Sequence, residues 1–199
     1  MNRRSFIQFS IAAAAGSLLP GRSHAASNSE RKVTQMAISK LTIERFSIVS
    51  NKPFDHVVAE FDTQVGHPFM GVFHRNIAAA QTENQLKAVV DAATGPSGLM
   101  EFARFDIGEV LRKENVAEPK SQRFIVGNPL IMKQMVKAVP DAASYAPVTI
   151  LIDERQDGVH LSYDRMAGFL SPYNNPQALK VATDLDKKVE ALLTACASS

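Results

Sequence analysis

Residues 147–164 read PVTILIDERQDGVHLSYD. Two short runs in which Val, Ile and Leu alternate with other residues flank the pair Asp157-Gly158. Alternation at period two marks a strand with one face buried, and Asp-Gly between two such runs marks a tight antiparallel turn. The stretch therefore reads as a β-hairpin. Inside it, His160 is opposite in phase to Val159 and Leu161, so it faces water if those two face the core.

The elements around the hairpin decide what it packs on. Upstream, LMEFARFDI (99–107) and QRFIVGNP (122–129) read as two more strands, with a short helical turn over 108–116 between them. Asn128-Pro129 stops the second strand and opens a helix over 130–138. Further back, KLTIERFSIVS (40–50) reads as a strand whose apolar phase shifts, which predicts a bulge near Glu44-Arg45. Phe54, Val57, Val58, Phe61 and Val65 fall at helical spacing after Pro53. Thr82 to Gln85 has the form of a capping box ahead of Leu86, Val89 and Val90. Residues 67–81 show weak periodicity and receive no assignment, because Pro68 and Gly71 interrupt a regular helix. Downstream, Asn175-Pro176 opens a last helix with an apolar stripe through Leu179, Ala182, Leu185, Val189 and Leu192. Strands do not alternate strictly with helices, so the expected fold is α+β: a two-layer sandwich with a mostly antiparallel sheet and helices on one face.

The N-terminus reads as an address. Arg3 and Arg4 are followed by an uncharged, Ala-rich stretch from Phe6 to Leu19, and Ser23-His24-Ala25 offers small residues before a cut after Ala25. The paired arginines with x-Phe-Ile resemble a twin-arginine export signal, which implies the twin-arginine export machinery as partner and the periplasm as destination. An ordinary secretory signal with two arginines is the alternative. The expected organisation is a signal over 1–25, a loose segment over 26–37 and a single α+β domain over 38–197. Loss of Arg3, Arg4 and Arg22 lowers Lys plus Arg from 22 to 19 against 20 acids, so the mature chain is near neutral. That balance gives no electrostatic case for nucleic acid. No stable membrane anchor is expected, since no later apolar stretch reaches roughly 20 residues and no cysteine near the cut can carry a lipid. The one cysteine, Cys196, excludes an intramolecular disulfide.

The blocks FARFDIGEVLRKENV (102–116), QRFIVGNPLIMKQMV (122–136) and YAPVTILIDERQDGVHLSYDRM (145–166) resemble the bacterial family known as domain of unknown function 302, in its longer branch. The resemblance implies a two-layer sandwich whose members can form dimers, so a homodimer is among the associations open to this chain. It implies no catalytic residue and no cofactor. Two places depart from the family pattern: Gly127 stands where relatives carry Cys before Asn-Pro, and Ile107 follows Phe-Asp where His is frequent.

Candidate chemistry is sparse. Asp106, Asn128, Tyr163 and Asp164 fall at strand ends, where binding groups sit on a rigid scaffold. Asn128 equally suits closing its own turn, and Arg104 and Arg165 can neutralise the two aspartates. His67, Met70 and His74 form H-x2-M-x3-H, a donor set that suits copper or, in chemical principle, haem. Two exposed imidazoles and a core methionine explain the same residues. No phosphate loop, G-x-S-x-G, H-E-x-x-H or C-x-x-C is present. Two classes of role remain open: a periplasmic module that binds a small ligand or metal or associates with itself, or a cofactor-independent or metal-assisted enzyme using Asp106, Tyr163 and Asp164.

Overall fold

The late hairpin supplies two inner strands of an antiparallel sheet. The chain, described by a computed structural model over residues 38–114 and 119–198, runs β1 (Arg45–Ser50), α1 (Phe54–Gln64), α2 (Met70–Ala79), α3 (Glu83–Asp91), β2 (Met100–Asp106), α4 (Ile107–Leu111), β3 (Ser121–Gly127), α5 (Pro129–Ala138), β4 (Val148–Arg155), β5 (Gly158–Asp164), α6 (Met166–Leu170) and α7 (Pro176–Ser198). The leader expected over 1–25 and the segment expected over 26–37 lie outside the described residues. The five strands lie in the order β1-β5-β4-β3-β2, and every neighbouring pair is antiparallel.

Alternation sorts the side chains onto two faces. Val148, Ile150 and Ile152 of β4, Val159, Leu161 and Tyr163 of β5, and Phe124 and Val126 of β3 are buried. They form one core with Val57 and Phe61 of α1, Met135 of α5, and Leu185, Val189, Leu192 and Leu193 of α7. Each fully buried apolar side chain contributes about 1.5–3 kcal/mol, so this face holds the fold together. The other face carries Arg45, Ser47 and Val49 of β1, Thr149 of β4, Arg123 of β3 and Phe105 of β2, all exposed. The two-layer α+β expectation is met, with α1, α5 and α7 over one face of the sheet.

Details differ from the sequence reading. The strand expected from Lys40 begins only at Arg45, because its partner β5 ends at Asp164, opposite Arg45. The irregularity expected near Glu44-Arg45 lies instead in β2, between Glu101 and Ala103. The hairpin turn centres on Gln156-Asp157, with Gly158 already paired to Arg155 and held at φ +135, a value that favours glycine. Residues 70–79, left unassigned, are helical, since Pro68 precedes the helix and Gly71 sits only in its first turn. Leu179 is 36% exposed and lies off the buried stripe of α7, whereas Asp186 lies on it.

A smaller cluster of Phe73, Val90, Ala93 and Met100 ties α2 and α3 to the start of β2. Two backbone segments cross there without room for side chains. A Cβ on Gly66 would lie 2.0 Å from the Ala93 carbonyl oxygen, and one on Gly95 would lie 2.5 Å from that of Gln64. Hydrogen bonds from Gly66 and Gly95 N–H to the Leu99 carbonyl, 2.9 Å each, lock the crossing.

Candidate functional site

Asp164 ends β5 on the exposed face, where Arg45 of β1 stands opposite it. The guanidinium donates two bonds to the carboxylate, Nε to Oδ1 at 2.6 Å and Nη2 to Oδ2 at 2.8 Å. These bonds hold the Asp164 carboxyl below its ordinary pKa. Tyr163, one residue earlier, points the other way because successive strand residues alternate. Its ring is 1% exposed, and its hydroxyl donates to Asp186 Oδ1 at 2.6 Å.

Asp186 is the polar residue that sequence reasoning missed. It comes from α7, is fully buried, and also accepts from Met166 N at 2.7 Å and Ala167 N at 3.1 Å. Those are the first two amides of α6, so Asp186 caps that helix from a distance. The signal was present: a carboxylate at the 182, 185, 186, 189 positions of an apolar stripe. Burial, the Asp186 charge and the hydrogen bond to it together raise the Tyr163 phenol above its ordinary range.

Fixing α6 fixes Phe169, which stacks on Tyr145 with ring centroids 4.9 Å apart and planes 22° apart. The Tyr145 and Tyr173 hydroxyls share a hydrogen bond of 3.1 Å. The stacked pair forms one wall of a cleft of about 240 Å³, completed by Ser144, Pro147, Val148, Thr149, Asp164 and Met166. A cis peptide joins Ala146 to Pro147 at its edge. A second hollow of about 180 Å³ adjoins it on the exposed sheet face, between Arg45 and Arg123, with Leu151, Ser162 and Tyr163 in its lining. Both hollows are lined by Thr149 and Asp164, so they are neighbours there. For scale, a cavity of roughly 150 Å³ holds benzene.

The other strand-end residues lie elsewhere. Asn128 accepts from Leu130 N at 2.8 Å and Ile131 N at 3.4 Å, capping α5, while its amide donates to the Gly98 carbonyl at 3.0 Å. Asp106 caps α4 through Glu109 N at 2.6 Å and faces Arg112 at 3.5 Å. Because neighbouring strands run antiparallel, β2 and β5 finish at opposite ends of the sheet, with three strand pairings between them. Asp106 and Asp164 therefore make no acid–base pair.

The expected histidine–methionine set is divided as well. Met70 packs against the small apolar cluster. His74 is exposed on α2. His67 lies between α1 and α2, with Nε2 3.1 Å from the Asp62 carbonyl oxygen. His67, Asp62 and Glu101 bring three donor atoms within 4.8 Å of one another. Arg104 already occupies this cluster, pairing with Asp62 and, at 2.7 Å, with Glu101. A metal there would have to displace a guanidinium that neutralises both carboxylates. A larger hollow of about 290 Å³ lies between α3 and α5, but Lys87 and Lys133 in its lining are already paired with Asp91 and Glu83.

No curated protein sequence matches this chain. Among solved structures, a similar one is the crystal structure of an uncharacterized conserved protein DUF302 from Bacillus stearothermophilus, with a TM-score of 0.54 at 10% identity, covering 76% of this chain and 97% of that one. At that identity the likeness speaks to the fold, which is the same α+β arrangement. The model of the domain of unknown function DUF302 matches residues 77–196, over half of the sequence, and the chain belongs to that family.

Proposed function

We propose that this chain is an exported periplasmic protein that binds a small organic ligand in the cleft beside Asp164. The observation that carries the binding reading is the pair of neighbouring hollows that share Thr149 and Asp164, one of them walled by the stacked Tyr145 and Phe169 rings. Ligand sites are concave, largely apolar and supplied with a few convergent polar groups. Here the apolar part is the aromatic wall, and the polar groups are Ser144, Thr149 and the Arg45–Asp164 pair. The supports of the cleft are rigid: α6 is held by the buried Asp186 and β4 and β5 are central strands.

The export half rests on the sequence of the leader, with Arg3-Arg4, the Ala-rich stretch and Ala25. Arg3→Lys with Arg4→Lys in the full chain, expressed in a bacterium that has a twin-arginine pathway, is expected to leave the protein uncleaved in the cytoplasm; continued appearance in the periplasm would refute that route. For the cleft, the probe is phenylbutyramide, an uncharged aromatic amide. In amide-resolved NMR of the chain from residue 26 onward, saturable shifts are expected at Tyr145, Thr149 and Phe169. Shifts absent from these three residues, or shifts that rise without saturating, contradict the reading.

A further inference from the structure

Resting on the reading that the Tyr145–Phe169 cleft holds a small ligand, we infer that the ligand is an organic monoanion whose carboxylate docks on Arg123 over the exposed face of the sheet. Three guanidiniums rise from that face, and two are already paired. Arg45 is engaged by Asp164 through two bonds, and Arg155 by Asp153 at 2.5 and 3.2 Å. Arg123 has no carboxylate partner among the described residues. Its neighbour is Phe105, opposite it on β2, whose ring centroid lies 5.4 Å from the guanidinium carbon. The guanidinium carbon lies over the ring, and a guanidinium so placed still has N–H groups to donate along its edge.

Sheet register explains why a hollow forms beside it. Leu151 stands between Arg123 and Ser162 across the strands, and Thr149 precedes it on the same face. Thr149, Leu151 and Ser162 in the middle are shorter than the arginines at the sides, and they leave a trough of about 180 Å³, or about six water volumes at roughly 30 Å³ each. The charges there select the ligand. Arg45 and Asp164 cancel, so the Arg123 charge is left over and one negative charge neutralises the trough. A carboxylate matches the two parallel N–H groups of a guanidinium edge, and the Ser162 and Thr149 hydroxyls can donate to its outer lone pairs. The Asp164 charge does not repel the ligand strongly because Arg45 holds it in a bidentate pair. Two strand residues span about 7 Å. A ring against the Tyr145–Phe169 wall and a carboxylate at Arg123 therefore call for a short alkyl chain between them.

The test compares phenylbutyrate with phenylbutyramide on the chain from residue 26 onward, by titration calorimetry at low and high salt. The carboxylate is expected to bind about tenfold tighter, since a hydrogen bond to a charged group is worth about that factor. Arg123→Met keeps an unbranched stem beside Phe105 and is expected to abolish the preference of the carboxylate over the amide, with the melting temperature unchanged. Arg123→Lys is expected to restore part of it. Equal affinities for the two probes overturn the inference and leave the cleft reading standing. A preference that survives Arg123→Met also overturns it, because the charge is then read elsewhere. If neither probe binds, both readings fall.

Discussion

Asp186 is a carboxylate with no exposed surface, placed among Leu185, Val189 and Ala182. A buried ion is tolerated only when its lone pairs are met, and here the Tyr163 hydroxyl and the Met166 and Ala167 amides meet them. Arg165 lies 3.9 Å from the far oxygen, 2.9 Å from Glu190 and 2.7 Å from Glu44, so the positive charge is shared among three acids. Asp186→Asn keeps the shape but turns an amide donor toward backbone donors, and it is expected to cost about 3 kcal/mol in urea unfolding. Tyr163→Phe removes one of three partners and is expected to cost about 1–2 kcal/mol; a loss below about 0.5 kcal/mol on the same scale (about half of the smaller expectation) would show the phenol to be incidental. Cys196 shows the opposite use of burial. Desolvation, with Glu60 a lesser cause, pushes its thiol up to about 12. The native thiol is expected to resist iodoacetamide at pH 8 and to react fully in urea; rapid native labelling would contradict its burial. Both residues were partly legible in advance, Asp186 as a charge on an apolar stripe and Cys196 as the end of that stripe. What the sequence could not supply was the partner on β5, because that contact joins residues 163 and 186 across the sheet–helix boundary.

Among the elements, those with local signals were legible. Thr82 accepts from Gln85 N at 3.2 Å while the Gln85 side chain accepts from Thr82 N, the reciprocal cap its spacing announced. Thr82→Ala is expected to cost about 1 kcal/mol, read as a shift in denaturation midpoint. Asn128 and Asn175 cap α5 and α7 through their own side chains alone, with no reciprocal bond. α2 was less legible for a physical reason: Pro68 and Gly71 stand at its start, and only Phe73 of its short apolar stripe is fully buried, with Met70 and Ile77 half-buried beside it. The Gly66–Gly95 crossing was hidden too, because the closeness belongs to two segments nearly 30 residues apart. Gly95→Ala sets a Cβ against backbone atoms at 2.5–2.7 Å that cannot swing aside. It is expected to destabilise by at least about 2 kcal/mol. A neutral substitution would mean that the crossing is looser than described.

At the scale of the molecule, the sheet presents one face to a core and the other to charge pairs, a division already visible in the alternation of the hairpin. The Arg45–Asp164 pair gives that exposed face a pH signature. Asp164 is held below its ordinary pKa, so it contributes stability above roughly pH 4, the unfolded carboxylate value, and loses it as pH falls through the folded value. The Arg45 and Asp164 side chains are 63% and 39% exposed, which keeps the contribution under about 1 kcal/mol. Urea denaturation of the wild type between pH 6 and pH 3 is expected to fall slightly more steeply than that of Arg45→Gln; parallel curves would remove the pair from the stability balance. The sheet order placed Asp106 and Asp164 at opposite ends, which no local pattern could reveal, and it brought Arg123 and Thr149 into one hollow with Asp164 instead. The most direct measurement is a crystal structure of the chain soaked in phenylbutyrate. The account predicts the ring against Tyr145 and Phe169 and the carboxylate within hydrogen-bonding distance of Arg123; a fully occupied ligand elsewhere, with this trough holding only water, would contradict it.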